Sequence, residues 1–163
     1  MTRHYALTLV GIVALAVAAE GVANAERQAG SAETSAVETW LKGYDAAFMA
    51  KDLDRLATFY HPEVTIYEGA GINNGWADYR DRHLGPELKA FTNLQFAHTD
   101  TKVTLMPGGQ SAYATSRYTI KAKMGERDLD SEGLETLALV KMPDGSWKIR
   151  HSHTSSRPRR PAQ

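Results

Sequence analysis

The sequence predicts an α+β domain in which N-terminal helices cover one face of a curved antiparallel sheet. Three observations carry this. Apolar residues recur at three- and four-residue spacing from residue 37 onward, four long runs of alternating character follow from residue 94, and those runs are separated by turns containing glycine.

The helical part comes first. Val37, Trp40, Leu41, Tyr44, Ala47 and Phe48 form one apolar stripe, with Ser35 at the N-cap and Glu38 at the capping-box position. Lys51-Asp52 breaks the helix, and residues 53–60 read as a second, short helix capped by Asp52 and ended by His61-Pro62. Residues 64–68 alternate as a strand and leave into a loop through Gly69-Ala70-Gly71 and Asn73-Asn74-Gly75. Residues 76–91 return to helical spacing, and Gly85-Pro86 is expected to kink or divide them. Trp76, Tyr79, His83 and Glu87 then share one stripe, beside an apolar stripe of Leu84, Leu88 and Phe91.

Four strands complete the domain, at residues 94–105, 111–123, 129–142 and 147–154. They are punctuated by Pro107-Gly108-Gly109, Gly125-Glu126 and Pro143-Asp144-Gly145. On the last strand, strict alternation puts Trp147, Ile149, His151 and His153 on one face. A face that opens with Trp and Ile turns to the core, so both histidines are expected to look inward.

The ends of the chain read differently. A short basic start, an apolar run over residues 7–19 too short to span a bilayer, and Ala23-Asn24-Ala25 make residues 1–25 a secretory signal peptide. The expectation is a secreted, periplasmic protein with no stable membrane anchor after cleavage. Residues 26–34 form a small, polar, flexible lead-in, residues 35–156 the domain, and residues 157–163 a basic, Pro-rich tail. The mature chain of roughly 138 residues suits one domain with one core. With 0 cysteines there are no disulfides, no thiol catalysis and no Cys-rich zinc sites. A balance of 19 basic and 19 acidic residues argues against nucleic acid as a partner.

The segments 44–48, 51–56 and 64–68, with the closing Asp144-Gly145-Ser146-Trp147-Lys148-Ile149, resemble the SnoaL-like division of the nuclear transport factor 2-like, or ketosteroid isomerase-like, superfamily. The resemblance covers residues 35–156. It implies a cone-shaped curved antiparallel sheet closed by the N-terminal helices, a small-molecule pocket in the cone and a homodimer. It also implies activities of the isomerase, cyclase, dehydratase or epoxide hydrolase kind. A narrower similarity is to exported members with a His followed four residues later by an acid, here His83 and Glu87, and a terminal His-x-His-x-Ser-Ser, here residues 151–156. The strand acid and paired oxyanion donors of the ketosteroid isomerases find no assigned counterparts.

Two chemistries fit these residues. His83 and Glu87 at i and i+4 on a helix, with His151 and His153 at i and i+2 on a strand, could together grip a divalent transition metal such as zinc, copper, nickel or iron. In the other reading, His151 or His153 works with Glu68, Tyr79 or Glu135 as base, acid and hydrogen-bond donor in acid–base isomerase, lyase or hydrolase chemistry. The alternative reading pairs Glu135 with Arg117 across neighbouring strands. His98, in line with Leu94 and Phe96, reads equally as a pocket or a sheet histidine, while His61 reads as a helix-end residue. Ser155 and Ser156 lack a nucleophile elbow. A non-catalytic ligand-binding or dimerisation module fits the same residues.

Overall fold

The computed structural model describes residues 6–159. The first residues of the expected leader, 1–5, and the last of the basic tail, 160–163, lie outside the described residues. The chain divides into two units, Met1–Ser35 and Ala36–Gln163. Among the described residues of the first unit there is one structural element, the N-terminal part of helix α1 (Ala6–Met49). Among the described residues no helix is long and apolar enough to cross a membrane.

In the second unit, the end of α1 presents Val37, Leu41, Tyr44, Ala47 and Phe48 to the core, as the spacing predicts. Asp52 caps α2 (Leu53–Ala57), its side chain accepting from the Arg55 N–H. Strand β1 (Tyr60–Glu68) begins where a helical tail was expected, because Phe59 and Tyr60 are drawn into the core. Strand β2 (Gly71–Asn74) forms in the stretch expected to be a loop by folding back antiparallel on β1.

The helix expected to break at Gly85-Pro86 instead stays continuous by widening. Helix α3 (Trp76–Tyr79) runs into a π-helical turn over Arg80–Leu84 and then into α4 (Gly85–Ala90). Pro86 has no N–H and its ring would press on the carbonyl four residues back, so a wider turn accommodates it. The Gly85 N–H reaches back five residues to the Arg80 carbonyl. A Cβ on Gly85 would lie 2.5 Å from that oxygen, so the turn requires glycine. His83 sits on this turn.

Strands β3 (Phe91–Leu105), β4 (Ser111–Met124), β5 (Arg127–Lys141) and β6 (Trp147–Pro158) follow as the expected meander. The expected architecture is corrected in one respect. In place of the expected cone of curved antiparallel sheet closed by the N-terminal helices, there is an open, mixed sheet of 6 strands in the order β2-β1-β6-β5-β4-β3, with β1 and β6 parallel. Strands β2 and β3 are its two edges. The parallel pair arises because β1 and β6 are far apart in the chain, so no hairpin dictates their direction.

Two of the slips in register decide which side chains near the site face the helices. On β3, Asp100 at φ 53° marks a bulge between Thr99 and Lys102. Beyond it the inward face passes from Leu94, Phe96 and His98 to Thr101, Val103 and Leu105, and Thr101 Oγ1 meets the buried Ser116 Oγ at 2.9 Å. On β6, Ile149 pairs with Leu139 but His151 pairs with Ala138, which leaves Arg150 as the extra residue. An inserted residue switches every later side chain to the opposite face. Trp147 and Ile149 point into the core, and after the bulge Ser152 does, buried to 4% exposure.

Candidate active site

The core encloses a cavity of about 180 Å³ between the helices and the inward face of the sheet. Its apolar wall includes Phe48, Phe91, Phe96, Ile120 and Leu129, and its polar wall Tyr44, Tyr60, Tyr79, Glu68 and Glu135. The β6 bulge determines what the last strand contributes: Ser152, Thr154 and Ser156 line the cavity. His151 and His153 lie on the outer face of the sheet. The His151 Nδ1 is 2.7 Å from Thr65 Oγ1, and Tyr67 packs edge-on to both rings at 5.0 and 6.1 Å.

The imidazole that does face this side of the sheet is His98 on β3. Its Nδ1 lies 2.6 Å from Asp45 Oδ1 and its Nε2 2.6 Å from Glu135 Oε2. Asp45 Oδ2 also accepts the His98 backbone N–H at 3.1 Å, and Glu135 Oε1 accepts from Ser152 Oγ at 2.7 Å. Burial opposes charge on the ring, but the two carboxylate hydrogen bonds outweigh it and raise the His98 pKa to about 9. The imidazole is therefore charged at neutral pH. The alternative partner for Glu135 does not form, because Arg117 pairs with Leu134 and so points to the opposite face.

Beside Glu135 stands a group of phenols. Tyr44 and Tyr60 share a hydrogen bond between hydroxyls at 2.8 Å, and the Tyr79 ring lies 5.7 Å from that of Tyr60. Burial raises the pKa of all three, most of all by desolvation, so they remain neutral and able to donate. Trp76 stacks on Tyr60 at 4.8 Å and holds that ring in place.

A second polar group lies toward the cavity mouth. His83 Nε2 is 3.6 Å from both Glu68 Oε2 and Glu87 Oε1, while its Nδ1 meets Asn73 Oδ1 at 2.9 Å. Asn73 belongs to β2, so the unexpected strand is what orients this histidine. The Glu87 carboxylate, opposed by partial burial and helped by Glu68, raises the His83 pKa, and burial raises that of Glu68.

The structure thus brings Glu68, Tyr79, Glu87 and Glu135 to the cavity and sets His83 behind two of them. It carries His151 and His153 away. The expected metal site of His83, Glu87, His151 and His153, and with it the expected divalent transition metal, is corrected accordingly. The two pairs lie on different sides of the sheet, and no group of three or more His, Cys, Asp or Glu among the described residues is placed to hold a metal ion. Asp45 and Glu135 also cannot converge on one ion, since they bind opposite nitrogens of one ring. Asp45, Tyr44, Tyr60 and Ser152 are site residues that sequence reasoning missed. For Asp45 a signal could have found it: it stands four residues after Leu41 and three before Phe48, a carboxylate on the buried stripe.

The SnoaL-like domain family model matches residues 37–159. Among solved structures, a protein of Shewanella frigidimarina NCIMB 400 provisionally named a ketosteroid isomerase is 27% identical. The alignment covers 71% of this chain and 90% of that one at a TM-score of 0.63. A nuclear transport factor 2-like superfamily protein of Salmonella enterica serovar Typhimurium is 18% identical over 81% and 95% of the two chains, with a TM-score of 0.70. A Novosphingobium aromaticivorans protein provisionally named a scytalone dehydratase is 15% identical over 80% and 90%, with a TM-score of 0.66. No curated protein matches.

Proposed function

As the chain belongs to the SnoaL-like domain family, we propose that it is an enzyme of acid–base chemistry on a small organic carbonyl compound, an isomerase or a dehydratase. One observation carries this reading: a cavity wall on which the Glu135 carboxylate, tied to His98 at 2.6 Å, stands beside the hydrogen-bonded phenols of Tyr44 and Tyr60. Isomerisation of an unsaturated ketone and loss of water from a hydroxyketone share a first step. A proton leaves the carbon next to a carbonyl, and negative charge develops on the carbonyl oxygen.

In this reading Glu135 takes the proton, and the Tyr44–Tyr60 pair, in which one hydroxyl donates to the other, gives its remaining O–H to the oxygen. A neutral phenol held by its neighbour's hydroxyl serves that role because its donor is already oriented. For isomerisation the proton on Glu135 returns to a carbon further along the conjugated system. For dehydration it goes to the departing hydroxyl, which leaves as water. His98 is a positioning residue, which holds the Glu135 carboxylate in place. The provisional names of the Shewanella and Novosphingobium proteins, an isomerase and a dehydratase, are compatible with the shared step.

The test is hydrogen exchange in D2O, followed by proton NMR, over a panel of cyclic ketones and hydroxyketones. The expected result is exchange next to the carbonyl well above the protein-free rate, falling at least about 100-fold in Glu135→Gln. A panel with no exchange above background, or an unchanged rate in the variant, would overturn the proposal. We carry forward export and a homodimer as further proposals, tested by cell fractionation and by sedimentation of the purified protein.

A further inference from the structure

The buried group at the end of the cavity has a net charge that geometry alone determines. Two carboxylates, Asp45 and Glu135, flank one imidazole, and each N···O contact of 2.6 Å needs one bridging proton. Two carboxylates and one imidazole with two bridging protons sum to a single negative charge, whichever atom each proton rests on. A third proton would have to sit on a carboxylate oxygen, which in the proposed reaction happens only when Glu135 takes up the substrate's proton. The other carboxylate oxygens accept from the His98 backbone N–H and from Ser152 Oγ.

That charge is enclosed. The side chains of His98 and Glu135 are 5% and 9% exposed, and that of Asp45 is 22% exposed. Among the described residues neither carboxylate meets a Lys or Arg. A buried charge without a counterion is costly, and the open side of Glu135 is the cavity. The mouth does not balance it. Glu68 and Glu87 share only His83, so this second group is also negative by one charge even when the imidazole is protonated. The one guanidinium on the cavity wall, Arg127, is exposed at its rim beside Met124. Near the buried end the wall carries the aromatic rings of Phe48, Phe96 and Tyr118, and aromatic faces attract organic cations.

We propose that the ligand of this cavity carries a protonated amine or quaternary ammonium on a ring-shaped apolar body, the positive group balancing the buried charge at Glu135. This rests on the reading of the same cavity as a reaction site and narrows its substrates to amino ketones and their relatives. An ammonium near the reacting carbon also makes its C–H more acidic, so the charge that selects the ligand assists the proposed step.

The test is calorimetric titration of the purified protein with three probes that share a benzyl or phenyl ring: benzyltrimethylammonium, benzyl alcohol and benzoate. The cation is expected to bind at least tenfold more tightly than the alcohol, with benzoate weakest. In Glu135→Gln, checked for folding by circular dichroism, the cation is expected to fall to within about threefold of the alcohol, whose own affinity stays the same. Equal affinity for cation and alcohol in the unaltered protein would overturn the proposal, as would tightest binding of benzoate through Arg127 or binding of no probe. The unaltered protein decides between these outcomes even if the variant does not fold. Cation preference without deuterium exchange would overturn the reaction and keep the ligand class. Exchange without cation preference would do the reverse.

Discussion

His98 Nε2 and Glu135 Oε2, 37 residues apart in the chain, meet at 2.6 Å across the inward face of strands β3 and β5. Neither strand is the other's neighbour in the sheet, since β4 lies between them. The contact therefore spans a strand, and it depends on His98 and Glu135 both pointing to the cavity side. Asp45 on α1 closes the arrangement from the helical layer.

Removing the imidazole leaves two carboxylates facing each other in a buried site. His98→Ala is expected to cost about 3–5 kcal/mol, the usual penalty for breaking a buried ion pair from one side. For a domain of this size that corresponds to a fall in melting temperature on the order of 10 °C. Thermal unfolding followed by circular dichroism checks it, and a loss near zero would mean that the pair contributes no net stabilisation.

The same pair gives stability a dependence on pH. The folded pKa of His98, about 9, lies above its ordinary value of 6.5. Its contribution is thus complete below about pH 6.5 and is lost as pH rises through about 9, amounting to something on the order of 3 kcal/mol. Urea unfolding between these pH values should show the decline, and His98→Gln should flatten it. An equal slope in both proteins would assign the dependence to other groups.

Ser152 is the residue that the β6 bulge turns inward, and its hydroxyl is a donor to Glu135 Oε1 at 2.7 Å. Ser152→Ala leaves that oxygen without its donor, at a cost of about 1–3 kcal/mol. Equilibrium unfolding of the purified variant measures it. The proposed exchange reaction should also slow, because the Glu135 carboxylate loses one of the groups that orient it.

On the outer face the expectation is opposite. His151→Ala combined with His153→Ala removes a contact to Thr65 and two ring contacts to Tyr67, none of which reaches the cavity. The double variant should lose no more than about 1–2 kcal/mol and keep the ligand affinity of the unaltered protein. A large drop in cavity binding would show that the outer face is coupled to it.

Gly133 supplies a steric test of the inward side. A Cβ there would lie 2.2 Å from the Ser155 carbonyl oxygen and 2.5 Å from the Tyr118 ring. Gly133→Ala must displace backbone as well as side chain, so a loss of about 2 kcal/mol or more is expected from overpacking. Unfolding of the variant, together with the loss of Tyr118 from its position against Phe96, would be visible by near-ultraviolet circular dichroism.

Much of the fold was legible before the structure. The stripe on α1, the Asp52 cap, the four long strands and the Gly-containing turns all follow from spacing and local backbone preference, and each formed close to where the residues place it. Strand β2 was not legible, because Gly71 and Asn73-Asn74 carry turn chemistry, and only pairing with β1 makes that segment extended. The site was half legible. Glu68, Tyr79 and Glu135 were named as candidates from the sequence and line the cavity, but His98 stayed ambiguous until Asp45 and Glu135 were seen at its two nitrogens.

What the sequence determined by itself was therefore the local periodicity: which residues could share a helix stripe or a strand face. What tertiary structure alone decided was the phase of that alternation along each strand, and the way the sheet ends. Alternation has a period of two, so one extra residue at Arg150 sent His151 and His153 outward and Ser152 inward. A bulge at Asp100 did the same beyond His98, β1 paired parallel with β6, and β2 and β3 stayed unpaired with each other, which leaves the sheet open. Bulges and long-range pairings are settled by the neighbouring strand, and the neighbour is not encoded in the local pattern.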